Sequence, residues 1–183
     1  MKQTLERRKP LGFTDHFSLA FTTWGVGYLP IAPGTWGSAV AVAIYLFVSW
    51  FETSASAHAG RSPEFVAALH WALNAVLLTV FCLVGIWASG RSIPLLGNSD
   101  PSEAVVDELM GQFITFLFIP FGLGWPFILA GFLLFRLFDI FKPYPIDDLQ
   151  SLPGGIGICA DDIVAGVYAG VCLAVGHAIY LSV

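Results

Sequence analysis

Pro120-Phe121-Gly122-Leu123-Gly124-Trp125-Pro126 lies in the middle of an uncharged run from Leu109 to Phe135, and its reading decides the fold. As one continuous helix, the run would cross a hydrocarbon core of about 30 Å and leave Asp107 and Asp139 on opposite faces. As a hairpin broken at 120–126, it returns Arg136, Asp139 and Lys142 to the face that holds Asp107 and Glu108. Two prolines and two glycines within seven residues oppose the continuous helix. Proline removes a helical hydrogen bond and clashes with the preceding turn, and each glycine costs about 1 kcal/mol relative to alanine. The hairpin is the expected form.

The rest of the chain is equally apolar. Hydrophobic residues make up 56% and charged residues 11% of 183, with a mean hydropathy of +0.76, whereas a soluble domain carries about 25% charged residues. Uncharged stretches also run from Phe17 to Phe51, Phe65 to Gly90 and Ile163 to Val183, each able to contain a membrane helix of about 20 residues. The expected fold class is all-α: an integral membrane helical bundle of about five membrane helices including the short hairpin, preceded by an N-terminal interfacial helix around Thr14 to Trp24. Residues 1–183 read as a single membrane-embedded domain, with 1–13 a basic cytoplasmic tail carrying Lys2, Arg7, Arg8 and Lys9. The first span is expected from Thr35 to about Trp50, after the turn Ala32-Pro33-Gly34-Thr35, and the second from Phe65 to Ser89, with Glu52 to Pro63 a polar loop between them. The last span is expected to start near Asp161. A net charge of −5 argues against a nucleic-acid partner, and no obligatory protein partner is evident. Cys82, Cys159 and Cys172 have no metal-site spacing and read as small buried hydrophobes. His70 and His177 read as satisfied bundle histidines.

Function is concentrated in the acids. Nine of the thirteen lie between Asp100 and Asp162. A carboxylate in lipid costs roughly 2.5–3.5 kcal/mol on insertion scales, so these groups need cations, water or a ligand. Asp100-Pro101-Ser102-Glu103 reads as a helix start, with Asp100 as N-cap and Glu103 in a capping box. On a helix from there, Asp100, Glu103, Asp107 and Gly111 form one stripe. Arg136, Asp139 and Lys142 are neighbours at i,i+3. Asp161 and Asp162 follow the glycine turn Gly154-Gly155-Ile156-Gly157. Each piece also has a structural reading, as caps, flanking positive charges or a solvated connector at Asp147 and Asp148. Their convergence on one face points instead to a hard-oxygen site for Mg²⁺. Asp107, Glu108, Asp161 and Asp162 are the expected metal ligands or catalytic carboxylates, Asp139 a further catalytic carboxylate, and Asp100, Glu103 and Asp139 additional candidate ligands. Arg136 and Lys142 would neutralise a phosphate, with Thr35 and Ser38 in a backbone cradle at a helix start. That is phosphoryl chemistry at a membrane surface.

Four blocks carry a resemblance. Pro30-Ile31-Ala32-Pro33-Gly34-Thr35-Trp36-Gly37-Ser38, then Asp100-Pro101 through Val106-Asp107-Glu108 to Gly111-Gln112, then Phe135-Arg136 through Asp139 to Lys142-Pro143, then Gly154-Gly155 through Asp161-Asp162 to Ala165-Gly166 resemble the phosphatidylglycerophosphatase A family, in the family's order. The resemblance implies an enzyme of the bacterial inner membrane, and the multi-pass topology expected above puts its active site on the cytoplasmic face. It implies Mg²⁺-dependent removal of the terminal phosphate of phosphatidylglycerophosphate to leave phosphatidylglycerol, a step of phospholipid biosynthesis. Whether a carboxylate attacks or activates water stays open. An ion-coupled transporter would place its acids near mid-span. Another Mg²⁺-dependent membrane phosphotransferase, of the CDP-alcohol type, would need an Asp-Gly-x-x-Ala-Arg motif, which is absent here.

Overall fold

Local chemistry sets most of the helix ends. The structure, a computed structural model, describes residues 4–58 and 62–183; Lys2 of the basic tail and positions 59–61 of the expected polar loop lie outside them. Helix α1 (Gly12–Thr23) ends at Trp24, which turns into the left-handed region. After a short 3-10 turn, Val26–Tyr28, come α2 (Pro33–His58) and α3 (Pro63–Leu96). Ser62 caps α3 by accepting the Phe65 N–H, Pro63 occupies the first turn, and Gly97 at φ 76 closes the other end. Helix α4 (Val106–Leu117) and α5 (Trp125–Phe141) follow. A four-residue α6 (Ile146–Leu149) then leads into α7 (Gly154–Ser182).

The hairpin forms as expected. The chain breaks after Leu117, and the Gly122 N–H donates to Ser49 Oγ at 3.0 Å, which pins the turn to α2. Pairings of Gly111 with Phe135 and of Gly131 with Phe116 show that α4 and α5 run antiparallel. The expected N-terminal helix also forms, as α1, with Phe13 and Phe17 exposed. Three helices are long and apolar enough to cross a membrane, with candidate spans Pro33–Ala55, Glu64–Leu96 and Gly154–Ser182. Helices α4 and α5, with 12 and 17 residues, reach only about 18 and 25 Å and make the short hairpin included in the expected bundle. Exposed Trp36 and Trp87 mark one membrane boundary, and exposed Trp50, Trp71, Trp125 and Tyr180 the other. At 1.5 Å per residue these belts are about 21 Å apart along α2 and 24 Å along α3.

Several boundaries differ from expectation. The first span continues to His58 and the second runs from Pro63 to Leu96, so the polar loop shrinks. Asp100 is not an N-cap, and the Glu103 capping box does not form. Helix α4 begins only at Val106, because the Val105 N–H donates to the Thr22 carbonyl at 2.9 Å and holds this segment against α1. The single-helix stripe through Asp100 and Glu103 is lost with it. Helix α7 begins at Gly154 rather than near Asp161. Its glycines serve as a packing surface, since a Cβ on Gly155 would collide with the Ile86 carbonyl of α3 and one on Gly157 with the Leu152 carbonyl. Cys159 is buried, but Cys172 is exposed on α7 and corrects the reading of all three cysteines as core. His70 is satisfied, standing 3.2 Å from Glu52.

The N-terminal segment straps the end of α3. The last carbonyls of a helix have no partner of their own. Here Pro94 O accepts from the Arg8 N–H at 2.8 Å and Gly97 O from the Leu5 N–H at 2.9 Å, while Leu96 O accepts from Arg7 Nε at 2.8 Å. Asp15 anchors the strap. Its side chain has no exposed surface and pairs with Arg8 at 2.9 Å and Arg91 at 2.8 Å, and it accepts the Leu11 N–H at 2.8 Å. That N–H first, then Arg8 and Arg91, hold its carboxyl below the usual carboxylate range against the cost of burial.

Helix α7 packs most extensively on α4, then on α5 and α3. At the α4–α7 crossing, a Cβ on Gly166 would meet the Gly111 carbonyl, and one on Gly111 would meet the Asp162 carbonyl and the Phe135 ring. Thr115 Oγ1 donates to the Gly111 carbonyl at 2.9 Å and reaches that of Gly166 at 3.3 Å. Gly166→Ala is expected to cost about 1–3 kcal/mol through backbone overpacking and to lower the melting temperature in detergent. Gly176→Ala, in open space on the same helix, should melt like the parent. Asp15→Asn should melt lower than the parent at neutral pH. Because the folded carboxyl is depressed, its contribution is full above the unfolded value of about 3.9 and is lost as pH falls through the folded value. Melting curves across a pH series should show the deficit shrinking only below about pH 4.

Candidate functional site

Asp107 and Glu108 occupy the first turn of α4, where a helix N-terminus favours negative charge. Asp162 meets them from the third turn of α7, carried there by the Gly111–Gly166 crossing. The three residues each offer a carboxylate oxygen, all within 4.8 Å of one another. Beside them stands a cationic network. Lys142, just past the end of α5, donates to Asp161 Oδ2 at 2.6 Å and reaches Asp139 Oδ1 at 3.5 Å. Arg136 pairs with Asp139 Oδ2 at 2.6 Å. Burial alone would push the Lys142 ammonium down, but the Asp161 carboxylate, with Asp162 and Asp139, outweighs it and raises the group, so it stays protonated.

These groups surround a cavity of about 710 Å³. Its charged lining comprises six acids, Asp100, Asp107, Glu108, Asp139, Asp161 and Asp162, and one cation, Lys142. No histidine or cysteine lines it. Two buried carboxylate oxygens, Glu108 Oε2 and Asp161 Oδ1, have no hydrogen-bond donor among the described residues. An unsatisfied buried charge of this kind is costly, and a hard divalent cation is the group that such a donor set suits.

The sequence-derived residues divide clearly. Asp107, Glu108, Asp139, Asp161, Asp162 and Lys142 come together, and Asp100 lines the outer part of the same cavity. Glu103 turns away, 3.6 Å from Arg7. Arg136 stands behind Asp139 and near Gly34, outside the lining. The proposed cradle at the start of α2 does not form: the Thr35 and Trp36 N–H groups donate to Ala32 O, and the buried Ser38 hydroxyl donates to its own helix at Gly34 O. Gly34 itself matters, since a Cβ there would collide with Glu108 Oε1.

Ser99, Ser102 and Gln150 line the cavity without having been singled out in the sequence. The Ser/Asn/Asp/Pro composition of 98–102 was the available signal for the first two. Gln112 is fully buried one turn after Glu108, and neither of its amide atoms has a partner among the described residues.

No solved structure matches the chain. Residues 19–177 match the family model described as phosphatidylglycerophosphatase A. A Bacteroides thetaiotaomicron protein named "Putative phosphatidylinositol-3-phosphatase" is 35% identical over 161 residues, 85% of this chain and 90% of that protein. The Escherichia coli phosphatidylglycerophosphatase A is 30% identical over 91% of this chain and 87% of its own length. The Haemophilus influenzae protein of the same name is 31% identical over 88% of each. Family match and relatives span the acidic cavity and the helices that build it, and the chain belongs to the phosphatidylglycerophosphatase A family.

Proposed function

We propose that this membrane protein hydrolyses phosphatidylglycerophosphate to phosphatidylglycerol and inorganic phosphate, with Mg²⁺ held in the acidic cavity on the cytoplasmic side of the bacterial inner membrane. The observation that carries the reading is the approach of Asp107, Glu108 and Asp162 to within 4.8 Å of one another, beside a protonated lysine, at the level of one aromatic belt. A lipid phosphomonoester meets such a site without leaving the head-group layer, its acyl chains remaining among the apolar helix faces.

Asp107, Glu108 and Asp162 are the residues that would hold the metal, with Asp161 Oδ1 as a fourth oxygen. Bound there, Mg²⁺ supplies polarisation of the phosphoryl group and offsets charge on the leaving oxygen. Lys142 lies on the cavity wall with its ammonium fixed by Asp161 and Asp139, so it can donate to a non-bridging phosphate oxygen without reorganising. Arg136 holds Asp139 and is a positioning residue. In the net reaction a P–O bond to water's oxygen forms, the P–O bond to the glycerol breaks, and the glycerol oxygen gains a proton.

A second head group deserves a direct comparison. The 35% identical relative is named for phosphatidylinositol 3-phosphate, and a cavity of 710 Å³ is roomy for glycerol phosphate alone. Phosphate release from the two lipids by purified protein, with Mg²⁺ or chelator, should favour phosphatidylglycerophosphate and require the metal; a reversed preference would select the second reading. Asp107→Asn and Asp162→Asn should each lower kcat by about 10²–10³-fold, the scale for losing a transition-state charge partner, while Glu103→Gln stays within about twofold. Added Mg²⁺ should raise the melting temperature, by about 2.7 kcal/mol in free energy at a hundredfold excess over Kd, and this gain should vanish in the Asp107→Asn, Asp162→Asn double variant.

Sidedness has its own measurement. In a background lacking Cys82, Cys159 and Cys172, Gly124→Cys at the hairpin turn should label from the periplasm. Asp148→Cys, beside the acidic cavity, should label from the cytoplasm. Labelling of both from one side would remove the hairpin topology.

A further inference from the structure

A second cavity lies on the other side of α4. Helices α2 and α3 both rest on α4 and touch one another little. Between them runs a groove of about 340 Å³, floored by Phe113, Phe116 and Leu117 and walled by Val48 and Leu77. At about 100° per residue, this floor lies nearly opposite Asp107 and Glu108 on α4, so the groove is not an extension of the acidic cavity. Leu77 is 65% exposed, which leaves the groove open sideways, between two membrane spans, to lipid.

The groove has a polar end and an apolar body. Asn74 Nδ2 donates to Glu52 Oε1 at 2.9 Å, and His70 Nδ1 stands 3.2 Å from Glu52 Oε2. This bridge joins α2 to α3 within a turn of Trp50 and Trp71, hence at the membrane boundary remote from the acidic cavity. Inward of it, the Tyr45 ring stacks on Phe116 at 4.3 Å and Phe121 at 5.4 Å. Tyr45 is only 7% exposed, and its hydroxyl has no hydrogen-bond partner among the described residues. An unmade hydrogen bond at a buried hydroxyl is costly, and hydrocarbon alone would not relieve it. An ester carbonyl would.

We propose that this groove binds one ester-linked phospholipid from the leaflet opposite the acidic cavity. An acyl chain lies along Phe113 and Leu117, an ester carbonyl accepts from Tyr45, and the head group rests at the Glu52–Asn74–His70 bridge. The three features required of such a site occur in the right order from boundary to core: polar residues, a single donor, then an apolar trough with lateral access. The lipid fills the gap between two helices that the protein itself leaves weakly joined.

Native mass spectrometry on the delipidated full-length protein tests this with dioleoylphosphatidylethanolamine, which carries no phosphomonoester, and its diether analogue. The parent should retain one ester lipid, about three- to tenfold more tightly than the diether, the scale of one net hydrogen bond. Tyr45→Phe, nearly isosteric, should erase the ester preference, and Val48→Trp, which fills the trough, should lose the bound lipid while melting as a folded protein. Undiminished retention by Val48→Trp, no ester preference in the parent, or a preference that persists in Tyr45→Phe would each overturn the proposal. The parent's ester-to-ether comparison decides the matter even if Val48→Trp fails to fold.

Discussion

The contact on which the rest depends is the one between α4 and α7 where neither helix has a side chain. Helices in lipid gain little from hydrophobicity when they associate, because the surrounding tails are equally apolar; close van der Waals approach and hydrogen bonds must hold them. Gly111 and Gly166 permit that approach at the level of backbone carbonyls, and Thr115 ties both carbonyls with one hydroxyl. The same crossing sets Asp162 opposite Asp107 and Glu108. A methyl group inserted here would separate the helices and open the acidic cluster together with them. Phe135, wedged against Gly111 from α5, brings the third helix to the same point, so Asp139 and Lys142 arrive at the cluster by packing.

Charge is distributed unevenly within the site. Arg136 and Lys142 are committed to Asp139 and Asp161. Asp107, Glu108 and Asp162 have no salt bridge to a basic side chain among the described residues. The cationic network therefore neutralises one edge of the cavity and leaves a concentrated negative centre beside it. This arrangement costs free energy when the carboxylates are ionised and empty, and a divalent cation relieves it.

Much of this was legible in the sequence. Prolines and glycines at 120–126 act locally and strongly, so the hairpin could be read, and the return of Asp139 to Asp107 followed from it. The aromatic, weakly charged stretch near Thr14 identified α1 for similar reasons. What failed were local signals overruled by distant partners. Asp100-Pro101-Ser102-Glu103 has the residues of a helix start, but the Val105 N–H bonds to Thr22, and Gly27 packs on the Glu103 carbonyl. Gly154 to Gly157 has the residues of a turn, yet Gly155 serves as the landing point for α3. Ser38 could have faced a ligand in sequence terms, but its hydroxyl satisfies its own helix, as serine in a helix commonly does. The groove beside Tyr45 had no signature at all, since a gap between helices is a property of how they splay.

The length of α4 connects the two ends of the bundle. Twelve residues reach about 18 Å, less than the separation of the aromatic belts on α2 and α3. The helix is therefore set inside the bundle, its acidic first turn level with Gly34 to Gly37 of α2, beside Trp36, and its aromatic end just short of the other boundary. At the first end, a cavity of 710 Å³ lined by acids admits water to carboxylates that lipid would not tolerate. At the second, α2 and α3 continue past the end of α4 and their bridging residues meet over it, which leaves the trough below Glu52. A longer α4 would fill the trough that Phe113, Phe116 and Leu117 now floor. Shortness of this one helix thus leaves the groove between α2 and α3 open at the boundary opposite the acidic cluster.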